Sequence, residues 1–280
     1  MHVHSGKLRD CPCNWHTLRV ILPMLLALAF PLALLAPQES SAQPAPTCHD
    51  QVATIVGTDG PDDLIGTPGN DVVALLEGAD TFDGLGGDDV ICGGNGKDLL
   101  VGGPGDDLLD GGRGNDELRG DVRTVGDAIG DGGDDTIIGG PGDDDRCSGD
   151  NVSLQGNASG DGGNDDISEC ERVTGDNRAA GDASGDGGDD VIIDAEGAIG
   201  DNATLFGVTS GTGGNDTIVG TNQPNLVLVG DNNDAGGGGD DVIFGLGGPD
   251  FLDGGPGTDT CDGGAGTDGA TNCETLVAIP

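Results

Sequence analysis

An all-β solenoid of short stacked strands is what this sequence predicts, and three observations carry the expectation. From Gly57 to Arg119 the chain reads GTDGPDDLI, GTPGNDVVA, LLEGADTFD, GLGGDDVIC, GGNGKDLLV, GGPGDDLLD and GGRGNDELR, seven blocks in unbroken register. Each block carries Gly at its fourth place, Asp at its sixth and an apolar residue at its eighth. Glycine is abundant, 58 of 280 residues, and acids outnumber bases by 51 to 10. A fixed period of this kind is the mark of a repeat architecture, in which each unit buries its apolar face only against its neighbours.

The nine places divide the work between turn and strand. Glycines at places one, two and four let the backbone turn tightly without a Cβ clash. The eighth-place residues, Leu64, Val73, Phe82, Ile91, Leu100, Leu109 and Leu118, each sit in a three-residue strand and point inward while their neighbours point outward. Aspartate at place six is a hard oxygen ligand of the kind calcium prefers, and the glycine-rich turn leaves carbonyls free to join it.

This G-G-x-G-x-D-x-U-x pattern resembles the RTX (repeats-in-toxin, hemolysin-type) calcium-binding family. The resemblance implies a parallel β-roll, or β-helix solenoid, of calcium-binding nonapeptide repeats, in which two nonamers make one coil, turns lie on opposite edges, two short parallel sheets face each other, and each ion is held between one turn and the next on the same edge. Seven turns would then give roughly five complete sites. The proposed ligands are Asp62, Asp71, Asp80, Asp89, Asp98, Asp107, Asp116, Asp135, Asp165, Asp190, Asp216, Asp241, Asp250 and Asp259, with carbonyls of the neighbouring glycines. Several calcium ions (Ca2+) are therefore the expected cofactors. A coil buries only two apolar side chains while ordering many glycines, so hydrophobic burial alone should not hold it. Metal-binding free energy becoming folding free energy is the natural missing contribution.

Charge limits the partners. The formal net charge is −41; beyond residue 42 the chain holds 49 acids and 7 bases, a net of −42. Such a charge excludes a nucleic-acid backbone and argues against anionic membrane surfaces. Acidity with few aromatics ordinarily reads as disorder. Here the acids are locked in phase with glycines and core-type residues, so disorder is expected only without calcium.

In chain order, residues 1–42 read as a secretory signal peptide. Lys7, Arg9 and Arg19 precede an apolar run from Val20 to Ala36, and Ser40-Ser41-Ala42 offers small residues for cleavage. The run is short for a membrane span and holds Pro23 and Pro31, so no span is expected after cleavage. Residues 43–56 form a linker and N-terminal cap, and 57–119 the contiguous roll. Over 120–235 the register changes to a longer composite repeat. Calcium-type nonamers start at Gly130, Gly160, Gly185 and Gly211, alternating with elements that open Gly-Asp at Asp121, Asp150, Asp176, Asp201 and Asp231. Whether this stretch continues the roll or forms a wider helix stays open. Residues 236–280 form a C-terminal roll and cap that begins with the nonamer at Gly236. Two blocks are damaged: GGPGDDDRC from Gly139 puts Arg146 at the inward place, and GTNQPNLVL from Gly220 has Asn225 for Asp.

Cys48, Cys92, Cys147, Cys170, Cys261 and Cys273 remain after cleavage. Six cysteines allow fifteen pairings, and nearest-neighbour closure is the expectation: Cys48–Cys92, Cys147–Cys170 and Cys261–Cys273. Free buried thiols and a soft-metal site are the alternatives, but His49 is the only mature histidine and no Cys-x-x-Cys occurs, which disfavours zinc. A Ser-His-Asp or Cys-His site would have to use His49. Paired carboxylates could serve a glycosidase, yet the periodic ones already have a calcium role and no pocket-forming aromatics are available to hold a sugar. The match GAGTDG at Gly264–Gly269 to a dinucleotide fingerprint is noise in so glycine-rich a chain. Sequons start at Asn151, Asn157, Asn202 and Asn215, where turn composition explains them. The expected function is a secreted, non-enzymatic calcium-binding repeat protein acting as a surface, matrix or scaffold module, with a cell-surface or matrix partner. An accessory module of an extracellular enzyme or toxin is the alternative, and an ice-binding face ranks below both.

Overall fold

The computed structural model describes residues 44–142, 144–180, 182–204, 209–224, 227–231 and 237–279. The predicted signal peptide and Asn225 lie outside these residues. Every regular element among them is a strand, and no helix is long and apolar enough to cross a membrane.

Two long parallel sheets face each other as a β-roll. The first runs through Ile55–Val56, Val72–Ala74, Val90–Gly96, Leu108–Gly114, Thr136–Ile138, Asp166–Ser168, Val191–Ala195, Thr217–Gly220, Val242–Phe244, Thr260–Asp262 and Thr275–Val277. The second runs through Asp63–Ile65, Thr81–Asp83, Leu99–Val101, Glu117–Arg119, Arg146–Ser148, Arg172–Thr174, Gly197–Ile199, Val227–Val229, Phe251–Asp253 and Gly269–Thr271. Successive coils stack in register, Val73 on Ile91, Ile91 on Leu109 and Leu109 on Ile137. Inward residues of these strands form one continuous core of Val73, Phe82, Ile91, Leu100, Leu109, Leu118, Ile137, Ile167, Ile192, Ile218, Leu228, Ile243 and Leu252, all fully buried, while Leu276 of the last strand is exposed. Leu64, at the open end, is half-buried against it. Because each coil contributes so few core side chains, each one counts. Ile167→Ala should lower stability by about 2–5 kcal/mol, read from the denaturant midpoint at saturating calcium.

Over 120–235 the roll does not stop. Its two sheets continue, and four successive coils each extrude a side loop, which together add two further four-stranded parallel sheets. One comprises Arg123–Thr124, Val152–Ser153, Arg178–Ala179 and Ala203–Thr204, the other Ala128–Ile129, Ala158–Ser159, Ala183–Ser184 and Thr209–Ser210. Their shared interior is a second small core of Ala128, Ala158, Ala179 and Ala183.

The main-chain ladder shows where the loop is inserted. Gly84, Gly102, Gly120, Gly149, Gly175 and Gly200 stack as first-place residues, each N–H donating to the strand end of the next coil. Gly105, Gly133, Gly163, Gly188, Gly214 and Gly239 stack as fourth-place residues, each against the carbonyl of the one before. The loop therefore opens between the second and third places. Gly120-Asp121 begins the turn that Gly132-Gly133-Asp134-Asp135 completes, so the GDGGDDTII frame at Gly130 mixes loop and turn residues. What looked like two alternating elements is one interrupted nonapeptide.

Arg146 is a second correction. The ladder pairs Leu118 with Cys147 and Glu117 with Arg146, so Cys147 takes the inward place. The block from Gly139 carries one extra residue, and Asp145 rather than Asp144 falls at the sixth place. A one-residue shift exchanges the two faces of a strand. Here it keeps a guanidinium out of a dry core and leaves Arg146 3.3 Å from Asp144.

The disulfides are Cys48–Cys92, Cys147–Cys170 and Cys261–Cys273, with Cα separations of 5.7, 6.2 and 6.0 Å. This is the nearest-neighbour pattern. The first ties the N-terminal hairpin Thr47–Cys48/Gln51–Val52 to the roll, and the second joins neighbouring coils inside the core. Replacing Cys147 and Cys170 together with Ala should cost about 2–4 kcal/mol, again read at saturating calcium.

Candidate metal centres

The turns on each edge of the roll stack so that their sixth-place carboxylates form a column. On the first edge, the backbone N–H of each Asp donates to Oδ1 of the Asp one coil further on. The series runs Asp71 to Asp89 (2.8 Å), Asp89 to Asp107 (2.7 Å), Asp107 to Asp135 (2.8 Å), and then Asp165, Asp190, Asp216, Asp241 and Asp259 at 2.9 Å each. Glu274 ends the column by accepting from Asp259 at 2.9 Å. On the second edge the series is Asp62, Asp80, Asp98, Asp116 and Asp145, ended by Glu171. Asp250 bonds likewise to Asp268, at 3.1 Å.

One oxygen of each carboxylate is thus used, and the other is not. Oδ2 of Asp80, Asp89, Asp98, Asp107, Asp116, Asp135, Asp145, Asp165, Asp190, Asp216, Asp241, Asp259 and Asp268 is buried with no hydrogen-bond partner. A buried polar atom left unpaired is costly, and a charged one more so. Asp62 and Asp71 differ. Their Oδ2 atoms accept from the backbone and hydroxyl of second-place threonines, Thr58 at 2.6 and 3.1 Å and Thr67 at 2.7 and 3.0 Å. Elsewhere the second place is mostly Gly, Leu or Asp and offers no such hydroxyl.

Glycine makes the columns tight. A Cβ on Gly96 would fall on the carbonyl oxygen of Gly78, and one on Gly114 on that of Gly96. The second-place Gly94, Gly103 and Gly112 sit at φ of 105°, 103° and 87°, where L side chains are disfavoured. Leu76 and Leu85 hold the same place at 82° and 77°.

Crowded, dry carboxylates do not ionise readily. Burial pushes Asp89, Asp98, Asp116 and Asp145 up to about 6, and neighbouring carboxylates add to it while the amide of the preceding coil pulls the other way. Asp107 is pushed up to about 8 and Asp135 to about 10, again chiefly by burial. An ion that neutralises the column removes this penalty. The donor set is all oxygen, with turn carbonyls beside the orphaned carboxylate atoms, which suits a hard cation such as calcium. Thiolate and imidazole, the ligands that select softer metals, are not in the columns. The one close Cys/His group among the described residues is Cys48, His49 and Cys92. Its sulfurs are consumed by a disulfide, and His49 Nε2 lies 3.1 Å from Asp110 Oδ2.

All fourteen aspartates singled out from the sequence fall in these edge columns. Sequence reasoning missed Asp145, hidden by the extra residue, and Asp268, at the sixth place of GGAGTDGAT, a block whose eighth place holds only Ala270. It also missed Glu171 and Glu274, which lie outside any nonamer.

A search of curated proteins found no match to this chain. The family model for the RTX calcium-binding nonapeptide repeat (four copies) matches residues 56–91, 93–122, 128–145, 210–235 and 236–270. The unmatched stretch 146–209 is where the side loops interrupt successive nonapeptides. With more than half of its length matched, and with the roll and its oxygen-lined edges as described, the chain belongs to the RTX calcium-binding nonapeptide repeat family.

Proposed function

We propose that this protein is an exported, non-enzymatic calcium-binding solenoid that folds on meeting calcium outside the cell and then serves as a surface, matrix or scaffold module. The observation that carries this reading is the repeated orphan oxygen, a buried carboxylate Oδ2 without a donor in coil after coil. The ligands are Asp62, Asp71, Asp80, Asp89, Asp98, Asp107, Asp116, Asp135, Asp165, Asp190, Asp216, Asp241, Asp250 and Asp259, with turn carbonyls completing each shell. When bound, calcium supplies positive charge between the stacked carboxylates. The chain supplies the spacing, through glycine contacts that bring successive turns together, and the dryness, through the core behind them.

Three disulfides support an oxidising compartment, and extracellular calcium reaches the range that weak, oxygen-rich sites are tuned for. Fractionation of the producing cell tests the location: the chain should appear processed near residue 43 and outside the cytoplasmic membrane. Calorimetric titration tests the binding, which should show multiple calcium ions per chain. A processed chain that takes up no calcium at millimolar concentration refutes the reading.

A further inference from the structure

The side loops create a second column of carboxylates that the nonapeptide does not contain. Asp121, Asp150, Asp176, Asp201 and Asp231 occupy the second place, where the uninterrupted roll has mostly Gly or Leu. All are 3 % exposed or less. Each carboxyl touches the next along the stack, Asp121 with Asp150, Asp150 with Asp176, Asp176 with Asp201 and Asp201 with Asp231. Each also accepts the amide of the fourth-place glycine of its own turn, from Gly133, Gly163, Gly188, Gly214 and Gly239 at 3.0, 3.2, 3.2, 3.1 and 2.8 Å.

Clasping the neck of the loop would account for those amide bonds, and a neutral side chain could do it equally well. It does not account for what remains unpaired. Asp121 Oδ1, Asp201 Oδ2 and Asp231 Oδ1 are buried with no donor, because the neighbouring carboxylates they face have no proton to give. The last two converge on the space where a Gly213 Cβ would stand. Asn151, Asn177 and Asn202 follow three of these aspartates and are buried too. Their amide nitrogens donate to the carbonyls of Gly130, Gly160 and Gly185 at 3.0, 3.1 and 3.3 Å, while their Oδ1 atoms have no donor. Asn151 and Asn202 open glycosylation sequons, and their burial rules out a glycan. Neutral amide oxygens and carboxylate oxygens left bare in one dry lumen share a single chemistry: both are ligands for a hard cation.

We propose that the Gly-Asp-Asn segments line an inner row of calcium sites, at the junction of roll and side loops and in addition to the edge columns, with Asp150, Asp176 and Asp201 as bridging carboxylates and Asn151, Asn177 and Asn202 as neutral ligands. The inference rests on the calcium reading above and extends it to residues outside the sixth place. Asp231 Oδ1 and Asp201 Oδ2 lie 1.5 and 2.4 Å from that one point beside Gly213, so both oxygens can reach a single ion at ligand distances of about 2.3–2.6 Å.

The test counts calcium on the processed chain by equilibrium dialysis and atomic emission, comparing wild type with the triple substitution Asp150→Asn, Asp176→Asn and Asp201→Asn. Asparagine keeps an acceptor for the clasping amides and removes the charge. The triple variant should hold at least two fewer ions at saturation while keeping the calcium-induced circular dichroism change of the edge columns. Asn177→Ala should weaken the most tightly held ions at least tenfold. If the triple variant fails to fold, Asp176→Asn alone is measured the same way and should lose at least one ion. Equal ion counts in wild type and variant overturn the inner row, and mean that shared protons or the clasp alone stabilise the aspartates. No calcium on either protein overturns the calcium reading itself.

Discussion

Stripped of calcium by EGTA at neutral pH, the processed chain should lose its β-sheet circular dichroism and become sensitive to protease along the whole roll. Calcium in excess should restore both in one cooperative transition. The cause is the columnar arrangement. Most coils place an aspartate directly over the aspartate of the next, with an unbonded oxygen out of water, and beside the main-chain ladder and three disulfides only two central side chains per coil oppose chain entropy. An ion that binds only the folded state stabilises it by about 2.7 kcal/mol at a hundredfold excess over its dissociation constant, and such contributions accumulate along the columns. A solenoid couples neighbouring coils through their shared interface, so the loss is cooperative rather than coil by coil. Magnesium at the same concentration should rescue poorly, because it demands near-octahedral geometry and gives up water reluctantly. A chain that stays compact and protease-resistant in excess EGTA would show that the ion is not what holds the coils together.

The fold was legible because the period is: Gly, Asp and an apolar residue recur at fixed offsets from Gly57 to Arg119, and strand alternation turns that spacing into an inward residue. The disulfide pattern followed from proximity along a stacked chain. The composite stretch resisted for a physical reason. A loop inserted between the second and third places leaves both halves of the turn intact in space while separating them in sequence. Gly130-Asp131 then imitates the opening of a turn whose real opening is Gly120-Asp121. The extra residue before Cys147 is hidden in the same way, since only the pairing of Leu118 with Cys147 shows which neighbour faces the core. The recurring Gly-Asp pairs were visible, but nothing local says that Asp121, Asp150, Asp176, Asp201 and Asp231 end up stacked in a dry interior. Stacking at that distance belongs to the coil, not to the nonapeptide.

Acid should do in part what calcium does. Without metal, the folded chain binds protons more tightly than the unfolded one. The carboxyls of Asp89, Asp98 and Asp116 rise from 3.8 to about 6, that of Asp107 to about 8, and that of Asp201 to about 9, in each case chiefly through burial. These are raised acidic groups, so the sign is opposite to that of a salt-bridged aspartate. Below about pH 4 both states are protonated and the columns carry no penalty. As pH rises, the unfolded chain ionises first, and folding is disfavoured progressively until the folded-state values are passed. The calcium-free chain should therefore gain β structure as pH falls from 8 toward 4 and lose it again on neutralisation. Calcium at pH 7.5 should restore the same spectrum without acid. Asp107→Asn, which places a neutral amide in the first-edge column, should shift the midpoint of the acid transition upward in pH and reduce the number of calcium ions bound. If the calcium-free chain is instead most ordered at pH 8, the carboxylates are not held in the dry, stacked arrangement that both predictions require.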